Sequence, residues 1–202
     1  RYLYITILRE PVSRYLSEWK HVQRGATWLN AKLRCNGRPA TLEEVPFCFE
    51  GDDWSGVSLD DFMKCDSNLA INRQVRMLAN LSLVHCYNKS AMSAEVRDSI
   101  LLQSAKDNLA DMSFFGLTEF QKETQYLFER TFKLKFIDDF EQKNETTASR
   151  TDLSAKDFDH VRKINHLDIQ LYEYAKELFF QRLKLQQQED RSIRDNSTDN
   201  GR

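Results

Sequence analysis

The chain has 202 residues, 41% hydrophobic and 30% charged, which is the composition of a folded domain with room for a sizeable core. It has no apolar run of about 18 residues, so no segment reads as membrane-spanning, and its start lacks the form of a signal peptide. The net charge of −2 is unevenly spread: residues 1–38 hold eight basic and two acidic residues (+6), residues 39–66 one basic and eight acidic (−7), and residues 67–202 twenty basic and twenty-one acidic (−1). The basic segment points to an anionic partner near the first helix, set against the plainer reading of a solvated helix face.

Arg1 opens directly on a strand-like run with no initiator methionine, so the chain reads as the C-terminal piece of a longer protein. Residues 2–8, YLYITIL, predict a strand buried on both faces, as in a parallel sheet. Pro11 suits the first position of a helix, where its missing N–H costs nothing. Val12, Tyr15, Leu16, Trp19 and Val22 then form an apolar stripe, Ser13, Ser17, Lys20 and Arg24 share another side, and Gly25 ends the helix.

Residues 26–57 read as irregular. Thr41-to-Glu44 and Ser58-to-Asp61 have capping-box form, so short helices are predicted at each. Helices are also predicted over 68–79 and 94–111, the latter with Val96, Ile100, Leu101, Ala105 and Leu109 at helical spacing. Phe114–Leu117 reads as a buried strand, followed by a helix capped by Thr118 with Gln121. Residues 138–153 read as loop. Ser154 and Asp157 open one long last helix, and from about residue 186 the polar, aperiodic tail is expected to be disordered. This divides the chain into a domain at 1–185 and a tail at 186–202. Helices alternating with two strand-like segments suggest the edge of an α/β sheet whose other strands come from upstream.

Four cysteines, Cys35, Cys48, Cys65 and Cys86, lack Cys-x-x-Cys spacing, and no histidine stands at zinc-ligand spacing from them. Three pairings are open. Asn80, Asn88, Asn144 and Asn196 each begin an Asn-x-Ser/Thr sequon. Four sequons with an even set of clustered cysteines lean towards the secretory pathway.

Ligands of open α/β sheets sit beyond the carboxyl ends of strands, where helix N-termini favour anions. Arg9 stands at such an end with a forked donor set that suits phosphate, and Ser17 adds a hydroxyl two turns along the helix. Pairing of Arg9 with a carboxylate and simple solvation of Ser17 remain open. No Gly-x-x-x-x-Gly-Lys-Ser/Thr loop occurs, so a nucleotide site would be incomplete within this chain.

Arg9 followed eight residues later by Ser17, on a strand, turn and helix, resembles the 3′-phosphate motif of sulfotransferases that use 3′-phosphoadenosine 5′-phosphosulfate. REPVSRYLSEWKHVQRGATW, NRQVRMLANLSLV and FFGLTEFQKETQYLFERTFKLKF look like the heparan-sulfate 6-O-sulfotransferases, in order and spacing, from residue 1 to about residue 180. The resemblance implies a P-loop-like α/β fold in a Golgi-lumenal enzyme anchored by an N-terminal membrane segment outside this chain. It implies sulfuryl transfer to the 6-hydroxyl of glucosamine in heparan sulfate, without a metal. On the same resemblance Arg9 and Ser17 would take the 3′-phosphate, and the loop for the 5′-phosphosulfate and the expected histidine base would lie upstream, so no catalytic residue is assigned in this segment.

Basic and aromatic side chains lining a cleft would hold a sulfated polysaccharide. Lys20, His21, Arg24, Trp28, Arg73 and Arg76 are the candidates for that role. His21 could equally bond a backbone carbonyl, Trp28 could pack under the cysteine loop, and Arg73 and Arg76 could pair with the acidic segment. Thr118 begins a helix at a strand end and is a candidate to touch the nucleotide, though capping explains it equally well. His85, His160 and His166 read as structural, and Trp54 and Tyr126 as core. A 2-O type glycosaminoglycan sulfotransferase and a non-catalytic secreted glycan-binding module are the competing readings. With half a donor site, the purified 202-residue chain is expected to show no turnover in a sulfuryl-transfer assay.

Overall fold

The computed structural model describes residues 2–28, 33–140 and 153–199. The elements run β1 (Ile5–Leu8), α1 (Pro11–Gln23), β2 (Arg34–Cys35), β3 (Arg38–Pro39), α2 (Leu59–Lys64), α3 (Arg73–Leu78), α4 (Ala94–Asp111), β4 (Phe114–Leu117), α5 (Gln121–Phe132), α6 (Ala155–Ile164) and α7 (His166–Asp199). Single 3-10 turns occupy Leu81–Val84 and Lys89–Ala91.

β1 and β4 pair in parallel, with Ile5 opposite Phe114 and Leu8 opposite Leu117. β4 is buried at all four positions. β1 is not buried on both faces as its composition predicts: Ile5 and Ile7 are 54% and 58% exposed, because β4 is its one strand neighbour among the described residues. Helix α5 packs directly on β4. Thr124 Oγ1 accepts from the Leu117 N–H and donates to the Leu117 carbonyl, both at 3.1 Å. A Cβ on Gly116 would stand 2.4 Å from Thr124 Cγ2, so a bare backbone is what lets this helix approach.

Two apolar clusters result. One gathers Leu8 and β4 with residues of α3, α4, α5 and α7. The other lies under α1, where Val12, Tyr15, Leu16, Trp19 and Val22 meet Phe62, Met63, Ala70 and Val161. The predicted stripe of α1 is therefore its buried face.

Several boundaries differ from the sequence expectation. The predicted helix at 68–79 forms only from Arg73, because Asn72 is left-handed (φ 47°) and Asn68 Oδ1 accepts from the Ala70 N–H in a local turn. Thr41 and Glu44 exchange the two hydrogen bonds of a capping box, but on an isolated turn. Ser58, Ser93 and Ser154 cap their helices by accepting from Asp61, Val96 and Asp157 N–H groups. The expected long last helix breaks at Asn165 into α6 and α7. The tail expected to be disordered continues α7 to Asp199, and the reason lies at Asp190. Its carboxylate accepts from Tyr126 Oη (2.6 Å) and from Arg130, which ties the polar end of α7 to α5.

The disulfides are Cys35–Cys86 and Cys48–Cys65, which resolves the three-way choice left by the sequence. The first ties the β2–β3 hairpin to the segment after α3, and the second holds the acidic loop on the end of α2.

The break at Asn165 is a joint between the two clusters. Asn72 Oδ1 accepts from the N–H groups of Leu167 and Asp168, capping α7. Asp168 returns the favour to α3, accepting from Gln74 N–H (3.1 Å) and Val75 N–H (2.8 Å). Asn165 Oδ1 accepts from Arg14 and from the Asn72 N–H, both at 3.1 Å, and Arg14 Nε stands 3.5 Å from Asp168. Asn165 and Asp168 are wholly buried, and burial raises the Asp168 carboxyl pKa against the opposing pull of Arg14 and the two N–H donors. Removing a buried carboxylate strands two helix N–H groups and takes the nearest anion from Arg14 Nε. Asp168→Ala is expected to cost about 3 kcal/mol of unfolding free energy in urea titration, with Asn72→Ala costing about 1 kcal/mol as the loss of a cap.

Candidate functional site

The carboxyl ends of β1 and β4 lie side by side, and the sheet ladder closes with the Thr118 N–H donating to the Leu8 carbonyl at 2.9 Å. The chain then turns through Arg9 and Glu10 into α1. The sequence suggests an open helix N-terminus here, but the structure fills it. The Glu10 carboxylate accepts from the Val12 N–H (3.0 Å) and the Ser13 N–H (2.7 Å), capping its own helix. Any anion at this corner must therefore be held by side chains.

Arg9 offers one. Its backbone is fixed on both sides by Gln74, whose Oε1 accepts from the Arg9 N–H (2.9 Å) and whose Nε2 donates to the Arg9 carbonyl (3.0 Å). Its guanidinium makes no hydrogen bond or ion pair among the described residues. Ser17 lies two turns along α1, about 9 Å from the helix start, and it too is uncommitted among the described residues.

Helix α1 thus has three faces. One is the apolar stripe. A second carries Arg14 and Glu18, bonded to each other at 2.6 Å. The third carries Ser13, Ser17, Lys20, His21 and Arg24. Lys20 Nζ lies 4.1 Å from the centre of the Trp19 ring and donates to Gln23 Oε1 at 3.3 Å. Arg24 and His21 are exposed, with a guanidinium nitrogen 3.5 Å from His21 Nδ1. Among the described residues the His21 ring is thus not taken up by a backbone carbonyl.

Glu18 joins the remaining candidates. Its Oε1 accepts from Trp28 Nε1 (3.1 Å) and from Arg73 (2.9 Å). Trp28 also packs against Phe62 at 6.1 Å between ring centres, so it is at once a packing residue and the rim of this face. Arg73 keeps 37% of its side chain exposed. Arg76 turns inward, donating to the carbonyls of Leu69 and Ile71. Desolvation, with Arg73 beside it, lowers its pKa to about 10. It is still a cation at neutral pH, and both terminal nitrogens donate to the loop before α3. The two arginines, three apart, therefore have separate partners, Glu18 for Arg73 and backbone carbonyls for Arg76.

Thr118 does not cap α5. The helix starts at Gln121 after Phe120, and the Thr118 hydroxyl donates to Glu119 at 2.8 Å. Glu119 itself is committed, accepting from the Glu10 N–H and from Tyr172 Oη. Beside Thr118 opens a cavity of about 470 Å³, lined by Ile7, Leu117, Gln121, Thr124 and residues 138–140. Trp54 packs on Phe49 and Phe62, and His166 bonds Asp98. Among the described residues no group of three His, Cys, Asp or Glu is placed to hold a metal.

Glu10, Glu18 and Gln74 are absent from the sequence-derived site. Glu10 carries a signal in retrospect, since the residue before a helix-starting proline is the cap position. Gln74 carries none, because its partner lies 65 residues away.

A family model described as "Sulfotransferase family" matches residues 1–175. Heparan-sulfate 6-O-sulfotransferase 3 of Mus musculus is 61% identical over 194 residues, covering 94% of this chain and 41% of that protein. Heparan-sulfate 6-O-sulfotransferase 3-B of Danio rerio is 60% identical (94% and 45%), and heparan-sulfate 6-O-sulfotransferase 1 of Cricetulus griseus 58% identical (95% and 48%). The chain spans less than half the length of these curated relatives. With a match over most of its length, the chain belongs to the sulfotransferase family.

Proposed function

We propose that the protein containing this chain transfers a sulfuryl group from 3′-phosphoadenosine 5′-phosphosulfate to the 6-hydroxyl of glucosamine units in heparan sulfate. The observation that carries the reading is the Arg9 guanidinium. It stands at a strand end with its backbone clamped and its donors unspent among the described residues. A buried or half-buried arginine ordinarily finds a carboxylate, and the carboxylates near this one, Glu10 and Glu119, are engaged by N–H and hydroxyl donors. The names of the relatives supply the acceptor and the position sulfated.

In this reading Arg9 and Ser17 hold the 3′-phosphate, and Thr118 borders the adjacent cavity, within reach of the nucleoside. Sulfuryl transfer needs an in-line acceptor hydroxyl, a base on it and cations near the leaving phosphate. This chain contributes donor orientation and acceptor binding. The base and the phosphosulfate loop belong upstream, which would complete a P-loop-like sheet on β1. Lys20, His21, Arg24, Trp28 and Arg73 form the acceptor face. Arg76 is left out of it, because its donors already satisfy backbone carbonyls.

The two disulfides support passage through an oxidising compartment, and the enzyme class supports the Golgi lumen. No helix among the described residues is long and apolar enough to cross a membrane, so an anchor would lie elsewhere. Asn80 and Asn88 are exposed, and in each sequon the Asn Oδ1 accepts from the N–H and hydroxyl of the following serine. Their Nδ2 atoms make no hydrogen bond among the described residues. Asn144 and the side chain of Asn196 lie outside the described residues.

Arg9→Ala in the full-length enzyme is expected to weaken donor binding about 10- to 100-fold, the loss of a charge-assisted phosphate contact, while the KM for heparan sulfate stays within twofold. Unchanged donor affinity by isothermal titration would remove Arg9 from the site. For the modification, Asn80→Gln and Asn88→Gln are each expected to abolish one glycan-dependent mobility step in protein from secretory cells treated with peptide N-glycosidase. Protein that runs identically before and after treatment would show both sites unoccupied.

A further inference from the structure

We propose that Gln74 is a positioning residue for the donor, holding Arg9 in the geometry that receives the 3′-phosphate; the proposal rests on the donor reading above.

The sheet ladder ends one residue before Arg9, with Thr118 donating to Leu8. Beyond that point the Arg9 N–H and carbonyl have no strand neighbour. The Gln74 amide supplies both halves of one, at 2.9 Å and 3.0 Å. Two antiparallel hydrogen bonds from one planar amide set the backbone dihedrals of Arg9, and with them the direction in which its side chain leaves the chain.

Two observations argue that this is more than filling. Gln74 is only 9% exposed, and a buried amide is costly unless both ends are matched, so an apolar side chain would serve packing alone more simply. The group being aimed also ends in a guanidinium with no partner among the described residues. The protein's own packing gains nothing from aiming it, whereas a ligand does. The clamp is itself braced, since the Gln74 N–H donates to buried Asp168 at 3.1 Å. Because that bond is made by the backbone, substitution of the side chain leaves it in place.

The test compares two probes on the full-length enzyme: adenosine 3′,5′-bisphosphate, and adenosine 5′-monophosphate, which lacks the 3′-phosphate. Gln74→Met keeps the length of the side chain and loses both hydrogen bonds. The ratio of the two affinities is expected to fall about tenfold, as a misaimed contact does, with the monophosphate bound as before. A merely structural role would lower the melting temperature and leave the ratio unchanged, and that result overturns the proposal. Gln74→Ala serves as the second variant, and failure of both to fold would also assign Gln74 a structural role and overturn it. Arg9→Ala separates the two levels. If it collapses the ratio while the Gln74 variants do not, the donor reading stands and this inference fails. If Arg9→Ala itself leaves the ratio intact, the donor reading fails and takes the inference with it.

Discussion

Two helices that cap each other hold this structure in register. Asn72 closes the N-terminus of α7 and Asp168 closes that of α3, so neither helix start is satisfied without the other. Buried helix ends need partners for their first N–H groups. Here the need is met by residues nearly a hundred positions apart, which makes a long-range contact obligatory. The segment 70–75 and the segment 161–167 each pass from one apolar cluster to the other at this point. Arg14 and Asn165 bring α1 to the same joint. The position of Arg9 therefore depends on a chain of contacts: Asp168 seats α3, α3 presents Gln74, and Gln74 fixes the end of β1.

The single helix α1 serves three surroundings at once, and its 3.6-residue period is what permits this. Its apolar stripe closes the smaller core. Arg14 and Glu18 spend their charges on α3, the joint and Trp28. What remains outward is a run of hydroxyls and cations. Of the surplus positive charge in residues 1–38, Arg14 and Arg38 are neutralised locally, whereas Arg9, Lys20 and Arg24 meet no carboxylate among the described residues.

Much of this was legible from the residues. The stripe of α1, the start of α4 at Ser93, the strand at Phe114 and the cap at Ser154 are local patterns, and local patterns survive folding when tertiary contacts agree with them. The failures have polar side chains in common. The break at Asn165 and the persistence of α7 past residue 186 go with single polar side chains reaching across the fold, from Asn72 and Asp190, and the late start of α3 combines a local turn at Asn68 and Asn72 with the distant cap from Asp168. Thr118 shows the converse: its capping pattern was present, but the loop geometry gave the helix start to Gln121. At the candidate site, the residues alone placed Arg9 and Ser17 on a strand end and a helix with alternatives open, and the family resemblance supplied the 3′-phosphate role. Gln74 and Glu18 could not be named, because what makes them matter is proximity that periodicity does not encode.

The disulfides are nested, with Cys48–Cys65 enclosed within the loop that Cys35–Cys86 closes. Bringing the ends of the outer loop together costs about 1 kcal/mol more than for the inner one, a difference that grows only with the logarithm of loop length. The larger constraint is order of emergence. A ribosome releases Cys35 and Cys48 before the native partner of either, so the first pair available for oxidation is the wrong one. The inner bond becomes possible only when Cys65 appears, and the outer only when Cys86 does. If that first pair forms, reaching the native pairing takes thiol–disulfide exchange, and the bond that holds the β2–β3 hairpin is the last to become possible.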